Sequence, residues 1–334
     1  MPVGITLKEL AEKIGVSRTT VSRVMSGNAI KYRISESTIN KVRKAADKYR
    51  LVPNQVAKNL RRQKTDTIGL MIPDVSNPFF ANLAKGVEDA LRMKGKMILL
   101  CNTNENTAQE SELLSMIVGR QIDGLLVAPV GLDGSHFKSL SDKPIVFIDR
   151  YFDDLDIPYV ATHNVEGGYQ ATRYLVERGH QHIACIQGLV STVSSRDRVL
   201  GVKKALHEFG KKADSVILGD GFTIENGIQA MNQLLDSPIR PTAVFAMSNQ
   251  IAIGAMDVIK SRGLQIPKDV SLISFDEQPY FKLTSPPVTT IQQPIELLAK
   301  TAVKMLMELI SGNAVSSTAI MPKIIERESV AVLQ

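Results

Sequence analysis

From Thr67 onward, short apolar runs alternate with stretches whose apolar residues recur at helical spacing, and this alternation restricts the possible folds more than any other feature. Runs at Ile68–Ile72, Met97–Leu100, Leu125–Val127, Ile145–Ile148, Ile183–Ile186, Val216–Leu218, Val244–Ala246 and Leu272–Phe275 read as strands. Helices fit between them at about Phe79–Met93, Ala108–Gly119, Val165–Arg178, Val199–Phe209, Ile224–Leu235, Asn249–Arg262 and Ile295–Ile310. Such a series argues for parallel sheets covered by helices. It is too long for one ordinary sheet and restarts after an irregular stretch at Tyr151–His163, so two similar α/β subdomains are expected. The 334 residues, 44% of them apolar, are enough for such cores.

The first 65 residues have a different character. They hold 15 Lys and Arg against 4 Asp and Glu, a net of +11, whereas the remaining 269 carry 25 basic and 30 acidic groups, a net of −5. A basic head on a mildly acidic body is the charge pattern of a polyanion-binding module joined to something else. Thr6 can cap a helix bearing Leu7, Leu10, Ala11 and Ile14, with Glu9 as its capping-box partner. Gly15 and Val16 interrupt it, and Ser17 caps a second short helix from Arg18 to Met25. Val16, Val21 and Val24 then face Leu10 and Ala11, leaving Arg18, Thr19 and Arg23 pointing outward as donors suited to base edges in a major groove. A third helix at about Ser35–Tyr49 buries Ile39, Val42, Ala45, Ala46 and Tyr49, with Lys41, Arg43, Lys44 and Lys48 off that face.

The string TLKELAEKIGVSRTTVSRVM, ending at Met25, closely resembles the helix-turn-helix opening of the lactose repressor and purine repressor (LacI-type) family of bacterial transcription factors. Further matching segments follow in order: VPNQVAKNLRR at Val52–Arg62, TIGLMIPDVSNPFF at Thr67–Phe80, IDR at Ile148–Arg150, RGHQHIACIQG at Arg178–Gly188, SFDE at Ser274–Glu277 and TSPPVTTIQQP at Thr284–Pro294. The resemblance spans essentially the whole chain. It implies a helix-turn-helix domain at 1–51, a hinge helix and linker at 52–66, and an effector-binding and dimerisation core at 67–334. That core resembles a periplasmic-binding-protein fold, with subdomain 1 at about 67–162 and 294–321 and subdomain 2 at about 163–293 and 322–334. Because the chain crosses between subdomains more than once in such a fold, the helix beginning near Ile295 is expected to return to the first. One departure is local: between Met25 and Ser35 the chain reads SGNAIKYRI, longer than the usual family turn, so an enlarged basic loop carries Lys31 and Arg33 toward phosphate.

By this resemblance Thr6, Ser17, Arg18, Thr19, Thr20, Ser22 and Arg23 form the head's DNA-binding set, and Lys31 and Arg33 join it from the enlarged loop. Asn54, Val56, Ala57, Leu60 and Arg61 belong to the hinge. A segment of that length is marginal as a free helix, and the resemblance implies that it folds on the operator, with Leu60 as a wedge in the minor groove. In open parallel sheets ligands sit beyond the carboxyl ends of strands. The residues to inspect there are Asp74, Ser76, Asn77, Phe79 and Phe80, then Asp149 and Arg150, then Ser248 and Asn249, and finally Asp276. Aromatic faces with convergent carboxylates, amides and guanidinium groups suit a small polyhydroxylated or heterocyclic ligand. The resemblance adds Arg198 and Phe222. Phe80 suits a core as well as a ligand wall, Asp149 suits simple pairing with Arg150, and Arg196 or Arg198 suits an exposed surface. Where many relatives carry Asn-Asp, this chain has Ser248–Asn249, which removes a carboxylate and with it any direct transfer of a known sugar specificity.

An enzyme is the first rival. The chain contains no GxxxxGK[ST] phosphate loop, HExxH, G-x-S-x-G or glycine-rich dinucleotide fingerprint, and His180 and His182 lack a third ligand nearby. Two distant cysteines, Cys101 and Cys185, fit neither a disulfide framework nor a cysteine-rich metal site. The alternative of a soluble small-molecule-binding protein of the same core fold, without a DNA role, leaves the basic head unused and calls for a secretion signal that the N-terminus lacks. An RNA binder would interleave aromatics with its basic residues. The expectation is therefore a cytoplasmic, ligand-responsive transcriptional regulator, a repressor, without cofactor, metal or membrane segment. It binds a pseudo-palindromic double-stranded DNA operator as a homodimer, preferred to a tetramer because no heptad extension ends the chain, and answers to a carbohydrate effector.

Overall fold

The computed structural model describes residues 5–51, 65–140, 143–209 and 214–333. The chain divides at Thr65–Asp66 into two compact units. The expected hinge residues Asn54, Val56, Ala57, Leu60 and Arg61 lie outside the described residues.

The smaller unit holds three helices, α1 (Leu7–Ile14), α2 (Arg18–Met25) and α3 (Glu36–Lys48). Each starts where a short polar side chain can take an otherwise unpaired amide. Thr6 Oγ1 accepts from Glu9 N at 3.3 Å while the Glu9 carboxylate accepts from Thr6 N at 2.7 Å. Ser17 Oγ accepts from Thr20 N at 3.0 Å, and Ser35 Oγ from Thr38 N at 3.4 Å. Gly15 ends α1 in the left-handed region at φ +64, which a side chain rarely adopts. Leu10, Ala11, Val21, Val24, Val42, Ala45 and Ala46 make the core, joined by Ala29 from the long turn after α2. That turn is therefore anchored in the core of the unit.

The larger unit contains two six-stranded sheets. The first sheet has the order β11-β5-β4-β3-β1-β2, built from β1 (Thr67–Ile72), β2 (Met97–Asn102), β3 (Gly124–Val127), β4 (Ile145–Ile148), β5 (Tyr159–Thr162) and β11 (Thr318–Ile320). The second repeats that pattern as β12-β10-β9-β8-β6-β7, from β6 (His182–Ile186), β7 (Asp214–Leu218), β8 (Ala243–Ala246), β9 (Ser271–Phe275), β10 (Thr289–Gln292) and β12 (Lys323–Ile325). All pairings are parallel except β10 with β12. Helices α4 (Pro78–Arg92), α5 (Thr107–Gly119) and α10 (Ile295–Ile310) cover the first sheet, while α6 (Asn164–Glu177), α7 (Val193–Glu208), α8 (Ile224–Leu235) and α9 (Asn249–Ser261) cover the second. The chain passes between lobes after β5, after β10 and after β11, so α10 packs Leu298, Ala302 and Leu306 into the first core.

The structure differs from the sequence reading at definite places. Strand β5 lies inside the stretch read as irregular, and β10, β11 and β12 were not read; each has only three or four residues, too few to show a period. Helix α7 begins at Val193 rather than Val199, because Thr192 Oγ1 accepts from Ser195 N and the polar run Ser194–Ser195 forms its first turn. Helices α6 and α7 touch backbone to backbone. A Cβ on Gly168 would lie 2.1 Å from the Arg198 carbonyl oxygen, and one on Gly201 would lie 2.0 Å from that of Val165. Gly201→Ala should therefore part the two helices and cost about 1–3 kcal/mol as an overpacked contact. Thermal unfolding should show a lowered midpoint; an unchanged one would contradict this crossing.

Candidate effector cleft and DNA-reading helix

In each sheet the order reverses beside the first strand, β1 in one and β6 in the other, and the loops at these carboxyl ends open a crevice. The two lobes face each other across it. Asn77 starts α4 by accepting from Phe79 N at 3.0 Å, which sets Phe79 and Phe80 in an edge-on pair with centroids 5.0 Å apart. Asp149 follows β4 and Asp276 follows β9. These positions are equivalent in the two sheets, and both residues are left-handed, at φ +69 and +71. Arg198 projects from the second turn of α7.

Four ionisable groups meet in this crevice out of water. Arg150, 3% exposed, makes a two-pronged bond to Glu105 (Nη1–Oε2 and Nη2–Oε1, both 2.8 Å) and lies near the Phe80 and Phe222 rings, at 5.5 and 5.4 Å. Phe222 belongs to the second lobe, so that last contact spans the crevice. Arg198, also 3% exposed, donates from Nε to Asn164 Oδ1 at 2.9 Å and from Nη1 to the Met247 carbonyl at 2.5 Å, with its guanidinium 3.6 Å above the Phe275 ring. Asp276 accepts from Gln293 Nε2 at 2.6 Å and from Asn249 N at 3.4 Å. Asp149 Oδ1 and Arg150 Nε have no hydrogen-bond partner among the described residues.

Burial sets the charge states. It pushes the Asp149 carboxyl up to about 6, only partly offset by Arg150 and Arg198. It raises Asp276 too, against the pull of Arg198 and of the bonds from Gln293 and Asn249. Arg198 is lowered by burial, whereas for Arg150 the same penalty is outweighed by Glu105.

The cavity enclosed by Asn77, Phe79, Phe80, Asp149, Arg150, Ser194, Arg198, Phe222, Ser248, Asp276 and Gln293 measures only about 20 Å³, room for roughly one water. A larger space of about 620 Å³ shares Asn77, Phe80 and Phe222 with it and is otherwise lined by groups such as Asp74, Glu105 and Asp220. The smaller cavity is the chemical centre, because it holds the buried guanidinium groups and carboxylates.

Among the residues expected from sequence, Phe79, Phe80, Asp149, Arg150, Arg198, Phe222, Ser248 and Asp276 line this cavity. Ser76 does not; it is exposed and its hydroxyl donates to Asp74 at 2.7 Å. Asn249 is buried just behind, offering its amide to Asp276. Ser194 and Gln293 were missed. Thr192 as a cap signals the first, and the β-branched Thr289–Ile291 before Gln293 signals the second.

In the head, Arg18 and Thr19 are exposed on α2, while Thr6 and Ser17 are occupied as caps and Thr20 Oγ1 lies 2.9 Å from Ser17 Oγ. Ser22 is half-buried, and Lys31 and Arg33 are exposed on the long turn. Arg23 is half-buried, its guanidinium 3.8 Å over the exposed Tyr32 ring.

A basic helix-turn-helix unit in one chain with a two-lobed α/β body and a polar interlobe cleft defines a class of DNA-binding regulators built on a periplasmic-binding-protein core. The family model for periplasmic binding proteins and the sugar binding domain of the LacI family matches residues 65–328, and that for bacterial regulatory proteins of the lacI family matches residues 6–54. The chain belongs to the LacI family of transcriptional regulators, and its relatives are repressors rather than enzymes. It is 33% identical to the HTH-type transcriptional repressor PurR of Vibrio atlanticus (strain LGP32), over 98% of this chain and 99% of that one. It is likewise 33% identical to the repressor CytR of Escherichia coli (strain K12), over 93% and 92%. Among solved structures, the lac repressor dimer bound to operator and the anti-inducer ONPF superposes with a TM-score of 0.89 at 26% identity, covering 98% of this chain and 100% of that one. A LacI family regulator from Enterococcus faecium with bound ribose gives 0.72 at 28% identity, over 80% and 100%.

The raised Asp149 carboxyl links stability to pH. With a folded pKa near 6 against 3.8 in water, the folded state holds the extra proton between about pH 4 and 6, so Asp149 lowers stability as pH rises through that window. Asp149→Asn should match the wild type near pH 4 and be more stable at pH 7 by roughly 2–3 kcal/mol. Melting curves across this range check it; parallel pH profiles for the two proteins would contradict a buried, proton-retaining Asp149.

Proposed function

We propose that this chain is a ligand-responsive repressor that acts in the cytoplasm, binds a pseudo-palindromic operator as a homodimer, and takes a sugar or sugar derivative as effector between its lobes. The observation that carries the DNA reading is the exposed start of α2, where Arg18 and Thr19 face outward on a basic unit beside the capping residues Thr6 and Ser17. The lac repressor relative is a dimer on operator. The effector reading rests on the cleft: Asp149 and Asp276 are acceptors for hydroxyls, Arg198 and Gln293 are donors, and Phe79, Phe80 and Phe222 supply apolar faces for a ring. The ribose bound by a relative favours the same class. A sugar seated against these groups extends from the small cavity into the adjoining space of about 620 Å³, and a change in lobe spacing on binding is the signal. Arg198→Ala should abolish effector binding while leaving the head intact.

In the head, Arg18 serves base readout and Lys44 phosphate contact. Arg18→Ala should cost about 1–3 kcal/mol and relax preference at particular base pairs, whereas Lys44→Ala should weaken all sequences alike. Selection from a random duplex library separates these outcomes. An unchanged preferred sequence for Arg18→Ala would overturn the assignment of α2 as the reading helix.

A further inference from the structure

The turn between α2 and α3 is fastened at both ends. Ala29 is buried in the core of the head and Ile34 packs against it, while Ile34 N donates to the Ala29 carbonyl at 3.1 Å. Within it Tyr32 N donates to the Asn28 carbonyl at 3.3 Å and Arg33 N to that of Ile30 at 3.0 Å. Asn28 N and Ser26 Oγ both donate to the Arg23 carbonyl, at 3.0 and 3.2 Å, so the turn also fixes the last turn of α2. Held this way, Ile30 stands 86% exposed at the tip, while Tyr32, 47% exposed, lays its ring under the Arg23 guanidinium at 3.8 Å.

We propose that Tyr32 is a positioning residue for sequence readout: its ring holds the Arg23 guanidinium in one orientation so that α2 presents a preset fork to a base edge. This rests on α2 being the reading helix. A free arginine side chain samples many rotamers and loses them on docking, so a ring that restricts it beforehand lowers that entropic penalty and narrows the set of bases it can meet. Arginine is suited to this because its planar guanidinium stacks on an aromatic face and leaves its in-plane N–H groups directed outward, where two of them match the O6 and N7 acceptors of guanine. The hydroxyl of Tyr32 has no part in the stack.

The test uses the full chain and the duplex that it selects from a random library. Tyr32→Ala should weaken binding about three- to tenfold, as expected for loss of a cation–π contact, and relax preference at the same base pair that Arg23→Ala relaxes. Tyr32→Leu, which keeps apolar bulk without a π face, should behave like Tyr32→Ala. Tyr32→Phe should stay within about twofold of the wild type, because the stack survives. The dependence of affinity on salt should be the same in all these variants, since no phosphate contact is lost. In an Arg23→Ala background Tyr32→Ala should have no further effect. The proposal is overturned if Tyr32→Phe is as weak as Tyr32→Ala, which assigns the effect to the hydroxyl and not to the ring face. It is equally overturned if Tyr32→Ala weakens both backgrounds alike. Should Arg23→Ala itself keep the wild-type affinity and preference, Arg23 reads no base and the role falls with it. Failure of the α2 reading is distinct, since Arg18→Ala would then leave the preferred sequence unchanged as well.

Discussion

Two guanidinium groups and two carboxylates taken out of water at the junction of two lobes are the constraint on which the larger unit depends. Removing one ion from water costs several kcal/mol, returned only where the geometry supplies partners. Arg150 has its two-pronged bond to Glu105; Arg198 has Asn164, the Met247 carbonyl and the Phe275 face. Asp149 is the deficient member, with one oxygen unpartnered and its carboxyl raised. That deficit is also the site's chemical capacity, because a ligand hydroxyl donated to Asp149 would supply the missing bond. A surface pair such as Arg196–Asp153, at 2.7 Å across the lobes but largely exposed, contributes at most about 1 kcal/mol to closure.

The duplicated sheet pattern explains why these charges meet. Asp149 and Asp276 occupy matching places after matching strands and share the same left-handed backbone, so facing the lobes brings two copies of one strand-end device together. The crossings after β5, β10 and β11 run side by side at one edge of the crevice. At this edge Thr162 donates to Gln293 at 2.5 Å, and Gln293 in turn donates to Asp276. A residue at a lobe crossing and a cleft carboxylate are thus tied through one amide, which gives lobe spacing and ligand contact a shared physical element.

Much of this was legible in the residues, because the features that decide it are local. Thr6 with Glu9, Gly15 and Ser17 fix the head's helices, and the alternation after Thr67 fixes the layered body. Elements that depend on distant partners were hidden. Strands β11 and β12 are three residues each and exist because β5 and β10 offer them an edge. Helix α7 extends to Val193 although Ser194 and Ser195 look like a loop, since a cap at Thr192 decides its start. The strand-end rule gave the neighbourhood of the cleft but not side-chain direction: it led to Ser76, which turns back to Asp74, and passed over Gln293, which follows an unread strand. The stack of Tyr32 on Arg23 was likewise invisible, because it depends on how a longer turn folds back.

In the proposed function, occupancy of the cleft and occupancy of DNA are coupled through one change in lobe spacing. Coupling of this kind is reciprocal: whatever factor the effector imposes on operator affinity, the operator must impose on effector affinity. Once a carbohydrate panel has yielded a ligand that the cleft binds, titration calorimetry of that sugar against the full-length protein, free and on its selected duplex, measures the factor directly. The sugar's affinity should change by about 5- to 150-fold between the two forms, matched by an equal change in duplex affinity with and without the sugar. Equal sugar affinity in both forms would contradict it.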